Sequence, residues 1–263
     1  MSDYRSPAAS IPTSREEMAI DPGLRRFMLG VYSKMGLGLA WSAALAFAVG
    51  TIAPVTQTVL TPPVLYIVQW GPLVLLLGSN FFMRGNPSPT ASGFLYWAVV
   101  TLMGLGLGVW VYLAANAVSA TSLGGQTVTV TFANMAKAFL VTAAAFGGLA
   151  LWGYTTKRNL SGLHSMVIMA AWGLAIIGIL NFAAVSMGWI QGSSMFEIGM
   201  QVVTLIVFSL LVATQTNQLR ESYYYLANDQ RGQAVMTNFG ALNLYIAFVT
   251  IFQMILSLMS SRE

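Results

Sequence analysis

Long apolar runs, each about as long as a bilayer is thick, alternate with short polar breaks along this chain. Seven runs stand out, at roughly 28–52, 63–83, 93–115, 131–153, 162–186, 195–218 and 236–259. The breaks fall at Pro54, Pro62-Pro63, the 84–92 stretch with Pro87 and Pro89, Gly124-Gly125, Asn159, Gly192 and the charged stretch 219–235. Proline and glycine clusters of this kind punctuate helices. A helix needs about 20 residues to cross a hydrocarbon layer of about 30 Å, and only helices or closed barrels satisfy their backbone groups there. A barrel strand alternates apolar and polar residues over about ten positions; these runs do not alternate. The pattern predicts an all-α integral membrane protein, a bundle of seven transmembrane helices.

Residues 1–26 precede the first run and read differently. They are polar, with Pro7, Pro12 and Pro22, and Ser14 with Glu17 has the spacing of a capping box for a short helix near 15–20 that Asp21-Pro22-Gly23 ends. The expected division is a flexible cytoplasmic tail over 1–26 and a seven-helix domain over 27–263. Acidic residues before a run long enough to span argue against a cleaved signal peptide.

Charge sets the orientation. Arg5, Arg15, Arg25 and Arg26 lie in the tail, Arg84 follows span two, Lys157 and Arg158 follow span four, and Arg220 and Arg231 follow span six. The intervening loops, 53–62, 116–130 and 187–194, hold no charge. Every second loop is basic, which places the N-terminus in the cytoplasm and the C-terminus outside.

Composition removes whole classes of function. Twelve Lys or Arg and eight Asp or Glu make 8% of 263 residues, and 56% are hydrophobic; a soluble domain carries about 25% charge. Soluble, nucleic-acid-binding and disordered proteins are excluded. No cysteine is present, which removes disulfide and thiolate chemistry, and His164 is the only histidine, too few for an imidazole zinc site. The chain has no H-E-x-x-H, no G-x-S-x-G, no phosphate loop and no dinucleotide fingerprint. No enzyme, cofactor, metal or small-molecule substrate is expected.

Charges within membrane spans are costly and invite a functional reading. Lys34, near the start of span one, is expected to snorkel to the headgroups. Lys137 lies about two turns into span four and Glu197 at the outer end of span six; Lys137 either snorkels or pairs with Glu197. Neutral polar residues, Thr214, Gln215, Thr216, Asn217 and Gln218 on span six and Asn243 and Thr250 on span seven, are read first as bridges between helices. Gly104 with Gly108, Gly36 with Ala40 and Ala44 with Ala48 read as close-packing pairs. Tyr223, Tyr224 and Tyr225, in the loop after span six, are either a headgroup belt or a contact for a partner protein.

Three stretches carry a resemblance. Phe146-Gly-Gly-Leu-Ala-Leu-Trp-Gly-Tyr-Thr-Thr-Lys-Arg-Asn-Leu-Ser-Gly162 closely resembles the end of span four in the bacterial branch of the Bax inhibitor-1 family. Gly240-Ala-Leu-Asn-Leu-Tyr-Ile-Ala-Phe248 is similar to that family's last-helix signature, and Val31-Tyr-Ser-Lys-Met-Gly-Leu-Gly-Leu39 to its first span. The resemblance implies a seven-helix bundle with the last helix central, in the bacterial inner membrane. It also implies a pH-sensitive calcium leak attributed to two aspartates facing each other on spans six and seven.

Here the chain departs from that pattern. The family's Tyr-Asp-Thr-Gln-like run on span six is matched to Thr214, Gln215, Thr216 and Asn217, and the aspartate of span seven to Ala247, with Thr250 three residues on. Two buried carboxylates can share a proton and act as a pH-dependent latch; Gln215 and Ala247 cannot titrate. Asn243, Ala247 and Thr250 share one helical face, expected to meet Gln215. The reading is a non-enzymatic accessory or regulatory membrane protein, with the lipid bilayer and another integral membrane protein as partners. The rival is a calcium or cation leak with a gate that does not titrate.

Overall fold

A computed structural model describes residues 21–82, 88–122, 125, 127–156, 160–226 and 229–260. Residues 1–20 of the expected 1–26 tail, with its Ser14–Glu17 box, and Arg84, Lys157 and Arg158 lie outside these.

Span one runs from Pro22 to Thr51, five residues earlier than the boundary at 27. Asp21 accepts a hydrogen bond from the Gly23 N–H at 2.8 Å, and Pro22 takes a first-turn position where its missing N–H costs nothing. Asp21-Pro22-Gly23, read in sequence as a stop, is a start. The longer helix also moves Lys34 about 18 Å, three turns, inside it.

Span two is broken into Ala53–Leu60 and Val64–Phe82, with a 65° bend between them. Span three is Pro89–Ala115, span four Phe132–Thr155, span five Ser161–Ser186, span six Ser194–Tyr225 and span seven Gln230–Ser260. Six of these helices are long and apolar enough to cross a membrane; the bent pair makes the seventh if it is one span. The stretch 219–235 is not one loop: span six continues through it to Tyr225, and span seven begins at Gln230.

Between spans three and four the chain forms a hairpin that the sequence reading did not foresee. β1 (Ser119–Thr121) pairs antiparallel with β2 (Thr127–Thr129), Ala120 opposite Val128. Val128 and Val130 tuck in beside Leu113, Ala138 and Leu256. This hairpin marks one end of the bundle; Arg25, Arg26, Arg220 and Arg231 mark the other, the basic end.

Span seven is the axis, packing on spans one, three, four and six. Spans one and three make the closest pair. A side chain at Gly104 would strike the Ser42 backbone, and one at Gly108 would strike Val49, so this glycine pair does serve helix packing. Gly36, Ala40 and Ala44 are exposed instead. Spans four and six also approach at backbone distance, because a side chain at Gly153 would collide with the Ala213 carbonyl. Span five leans on span six and buries only His164 and Val167.

Candidate functional site

Seven consecutive residues of span six, Leu211 to Asn217, are buried. A helix enclosed on every side must find a partner for each polar group it carries, and this one recruits its neighbours. The His164 ring on span five lies 3.2 Å from Thr214 Oγ1, and the Thr214 hydroxyl also reaches the Leu210 carbonyl at 3.0 Å. Tyr32 of span one meets Thr216 at 3.5 Å, and the Asn217 amide donates to the Gly153 carbonyl at 3.3 Å. Arg220, expected in a loop, is buried and donates to the carbonyls of Tyr154 and Thr156. These carbonyls close span four, where no intrahelical donor is left for them.

A second tier joins spans one, three and seven. Lys34 does not snorkel: its ammonium donates to Asn238 Oδ1 and sits 5.2 Å from the centre of the Tyr96 ring. The Asn238 amide donates in turn to Ser92 Oγ at 2.8 Å and the Pro89 carbonyl at 3.0 Å. Tyr96 donates to the Lys34 carbonyl at 2.6 Å, and Ser42 and Tyr245 share a hydrogen bond at 2.6 Å.

The register between spans six and seven corrects the position matched to the missing aspartate. Leu219 fills the space beside Gly240, and the Gln201 amide donates to Ser257 Oγ at 3.0 Å. In an antiparallel pair each step up one helix is a step down the other, so both contacts put Ala247 level with Leu211 and Val212. Ala213, fully buried, is one or two residues away. Gln215 lies about one turn, roughly 5 Å, nearer the basic end. On span six the buried positions at or next to this level are Leu211, Val212 and Ala213, and Gln215 is not the counterpart of Ala247. A match of the family's run to Val212-Ala213-Thr214-Gln215 keeps its Thr-Gln pair in register, and that pair was the available signal. Gln215 itself is buried with its carbonyl oxygen unpartnered.

The expected face of span seven also divides. Ala247 is buried, Thr250 is half-buried and Asn243 is exposed. The helix turns about 40° between Asn243 and Ala247, and the edge of the buried stripe passes between them. Lys137 is exposed, beside the buried stripe of Asn134, Ala138 and Thr142 rather than on it, and makes no ion pair among the described residues. Glu197 accepts instead from the Ser122 hydroxyl at 2.6 Å, which ties the hairpin to the start of span six. The three tyrosines stand in the last turn of span six, not in a loop. Tyr223 packs on Phe27 and, with Tyr224, lies against the core. Only Tyr225, 89% exposed, is presented outward.

One feature had no counterpart in the sequence reading. A cavity of about 600 Å³ lies between spans two, three, six and seven toward the hairpin end, with Gln69, Glu197, Gln253 and Ser257 among its walls. Gln201 is buried beside it with an unpartnered carbonyl oxygen. Isolated glutamines in otherwise apolar runs were its trace in the sequence. Among the described residues no three His, Asp or Glu side chains gather to hold a metal.

Residues 24–263 match the family described as inhibitor of apoptosis-promoting Bax1. A protein of Caulobacter vibrioides is 39% identical over 98% of this chain and 97% of its own length. Protein RP147 of Rickettsia prowazekii is 27% identical over the full length of both chains. The inner membrane protein YbhL of Escherichia coli is 27% identical over 95% of this chain and 98% of its own. With its membrane-crossing helices, this is a multi-pass protein of the bacterial inner membrane. Both the matched span and the bundle around the central last helix lead to one assignment: the chain belongs to the Bax inhibitor-1 family.

Proposed function

We propose that this chain is a non-enzymatic accessory protein of another integral membrane protein, a family member that keeps the bundle without the ion latch. The observation that carries this reading is the level of span six and span seven where the family's two acids are expected, which holds the buried methyl groups of Ala213 and Ala247. Replacing both partners of a buried charged pair by apolar groups is close to neutral for folding, whereas losing one is costly. A double loss is thus the route by which a latch is abandoned while the fold stays. No carboxylate there remains to change state with pH or to attract a divalent cation.

The proposed orientation is N-terminus in and C-terminus out, supported by Arg25, Arg26, Arg220 and Arg231 at one end and an uncharged hairpin at the other. In this cysteine-free chain, Ser122→Cys should react with an impermeant maleimide on spheroplasts and Ser88→Cys should not. The reverse labelling would invert the topology.

Purification in mild detergent, followed by mass spectrometry, tests the accessory role. A stoichiometric membrane partner is expected, and Tyr225→Ala should release it if contact is made through the basic end. The second reading is a cation leak with a gate that does not titrate, favoured by the cavity beside Glu197 and Gln69. Calcium flux into proteoliposomes separates the two: the accessory reading requires flux that is small and flat between pH 6 and 8. Robust flux lowered by Glu197→Gln would establish the leak, and robust pH-gated flux through the unaltered protein would defeat both.

A further inference from the structure

Spans one and four pack on two flanks of span seven and leave a trough between them. Span one offers it Met28, Leu29 and Tyr32, and span four offers Gly147, Leu151 and Tyr154. Spacings of three and four place each trio on one helical face. These faces have the pattern of helices that interlock, yet about 600 Å³ lies open between them. Gly147 contributes to the gap: nothing stands within 4 Å of the place its side chain would occupy.

The trough has a polar mouth and an apolar depth. At the basic end it opens beside Arg25, which is exposed, neighbours Arg26 and makes no ion pair among the described residues. Toward the hairpin end a second hollow, about 290 Å³, continues between the same two spans over Phe248 and Phe252 of span seven. From Arg25 to Leu39, where this hollow begins, is about 21 Å along the helix. One leaflet of hydrocarbon is about 15 Å deep, so a chain anchored at Arg25 runs the length of the first trough and ends short of the second hollow.

Charge decides between occupants. The cation at the mouth selects the headgroup, because a basic side chain at the membrane surface attracts anionic lipid. We propose that this trough binds an anionic phospholipid of the leaflet at the basic end, one acyl chain lying between spans one and four and the phosphate at Arg25.

Native mass spectrometry of the purified full chain, with dioleoylphosphatidylglycerol or dioleoylphosphatidylcholine added, tests this. One phosphatidylglycerol should be retained, with about fivefold preference over phosphatidylcholine, the effect of one basic side chain. Arg25→Gln, at an exposed position, should erase the preference and leave thermal stability unchanged. Gly147→Phe fills open space and should abolish the adduct of either lipid, while Gly173→Phe on span five should keep both. Equal retention of the two lipids by the unaltered protein, or retention untouched by Gly147→Phe, would overturn the proposal. A dimer that Gly147→Phe disperses, with no lipid adduct, would also overturn it and give the trough to a second copy of the chain.

Discussion

Span five and span seven are both long, apolar helices, and hydropathy alone does not tell them apart. Span seven buries thirteen of its residues, among them Asn238, Gly240, Tyr245, Ala247 and Ser257; span five buries His164 and Val167. Water offers no explanation, since leaving lipid for a protein interior brings an apolar helix no hydrophobic gain. What separates the two is shape and hydrogen bonding. Span seven has small residues where neighbours approach closely, and amide or hydroxyl groups that reach spans one, three and six. Span five reaches span six through His164 at its basic end, which meets Thr214 and Gln218, and shows Met166, Met169, Trp172, Ile176 and Leu180 to the surroundings. Position in this bundle is earned by packing and polar contact, not by hydropathy.

The sharpest break of that contrast is to put a charge on each helix. Ala247→Asp buries an acid with no partner at its level, since Ala213 stands there. The expected cost is about 3 kcal/mol or more, with the acid held protonated. Gly162→Asp, in the exposed first turn of span five with nothing within 4 Å of it, lies at the headgroup level next to the helix N-terminus and should cost little. Unfolding in mixed micelles by sodium dodecyl sulfate measures both. Adding Ala213→Asp to Ala247→Asp should recover part of the loss through a shared proton, whereas Gln215→Asp, one turn away, should recover less. Equal recovery from the two would show the register derived from Leu219–Gly240 and Gln201–Ser257 to be wrong.

Volume gives the next largest effect. Gly240→Leu drives a side chain into Leu219, and overpacking of this kind costs about 1–3 kcal/mol. Gly173→Leu meets nothing within 4 Å and should be neutral or stabilising by up to about 1 kcal/mol, the helix-propensity gain of replacing glycine. The same unfolding midpoints decide it, and a loss at Gly173 equal to that at Gly240 would mean that span five is packed against something in the detergent particle.

Six of the seven runs are legible because a lipid-crossing segment has one requirement, apolar length, which each of them meets; the run at 63–83 meets it only with Ala53–Leu60 as a bent pair. Boundaries failed where polar residues had a second use. Asp21 and Pro22 look like a helix stop until their role as a cap and first turn is considered, and Arg220 looks like loop charge until the open carbonyls of span four are counted. The three-residue strands of the hairpin, Thr127-Val128-Thr129 among them, are too short for an alternating period to register. The bend of span two at Thr61-Pro62-Pro63 has the same proline signature as a simple helix boundary. The central place of span seven could not be read from the residues alone, because burial against protein and burial in lipid select the same apolar composition. The site suffers most: two residues of misregister separate Ala213 from Gln215, which the Thr214-Gln215 pair signals in the sequence and the cross-helix contacts correct.

Single hydrogen bonds give the smallest expected effects and the finest version of the contrast. Asn238→Ala removes at once the acceptor of Lys34 and the donor to Ser92 and the Pro89 carbonyl, leaving a half-buried ammonium without its oxygen. A loss of about 1–3 kcal/mol is expected, in the range for stranding buried polar groups. His164→Ala removes contacts to Thr214 and to the exposed Gln218 at the edge of the bundle. Thr214 keeps the Leu210 and Leu211 carbonyls as acceptors, at 3.0 and 3.1 Å, so nothing is stranded. Its cost should fall near the average for hydrogen bonds between membrane helices, about 0.6 kcal/mol. If His164→Ala proves as costly as Asn238→Ala, span five is held at His164 as firmly as span seven is by its many contacts, and the peripheral helix is a fixed part of the bundle rather than a loosely attached one.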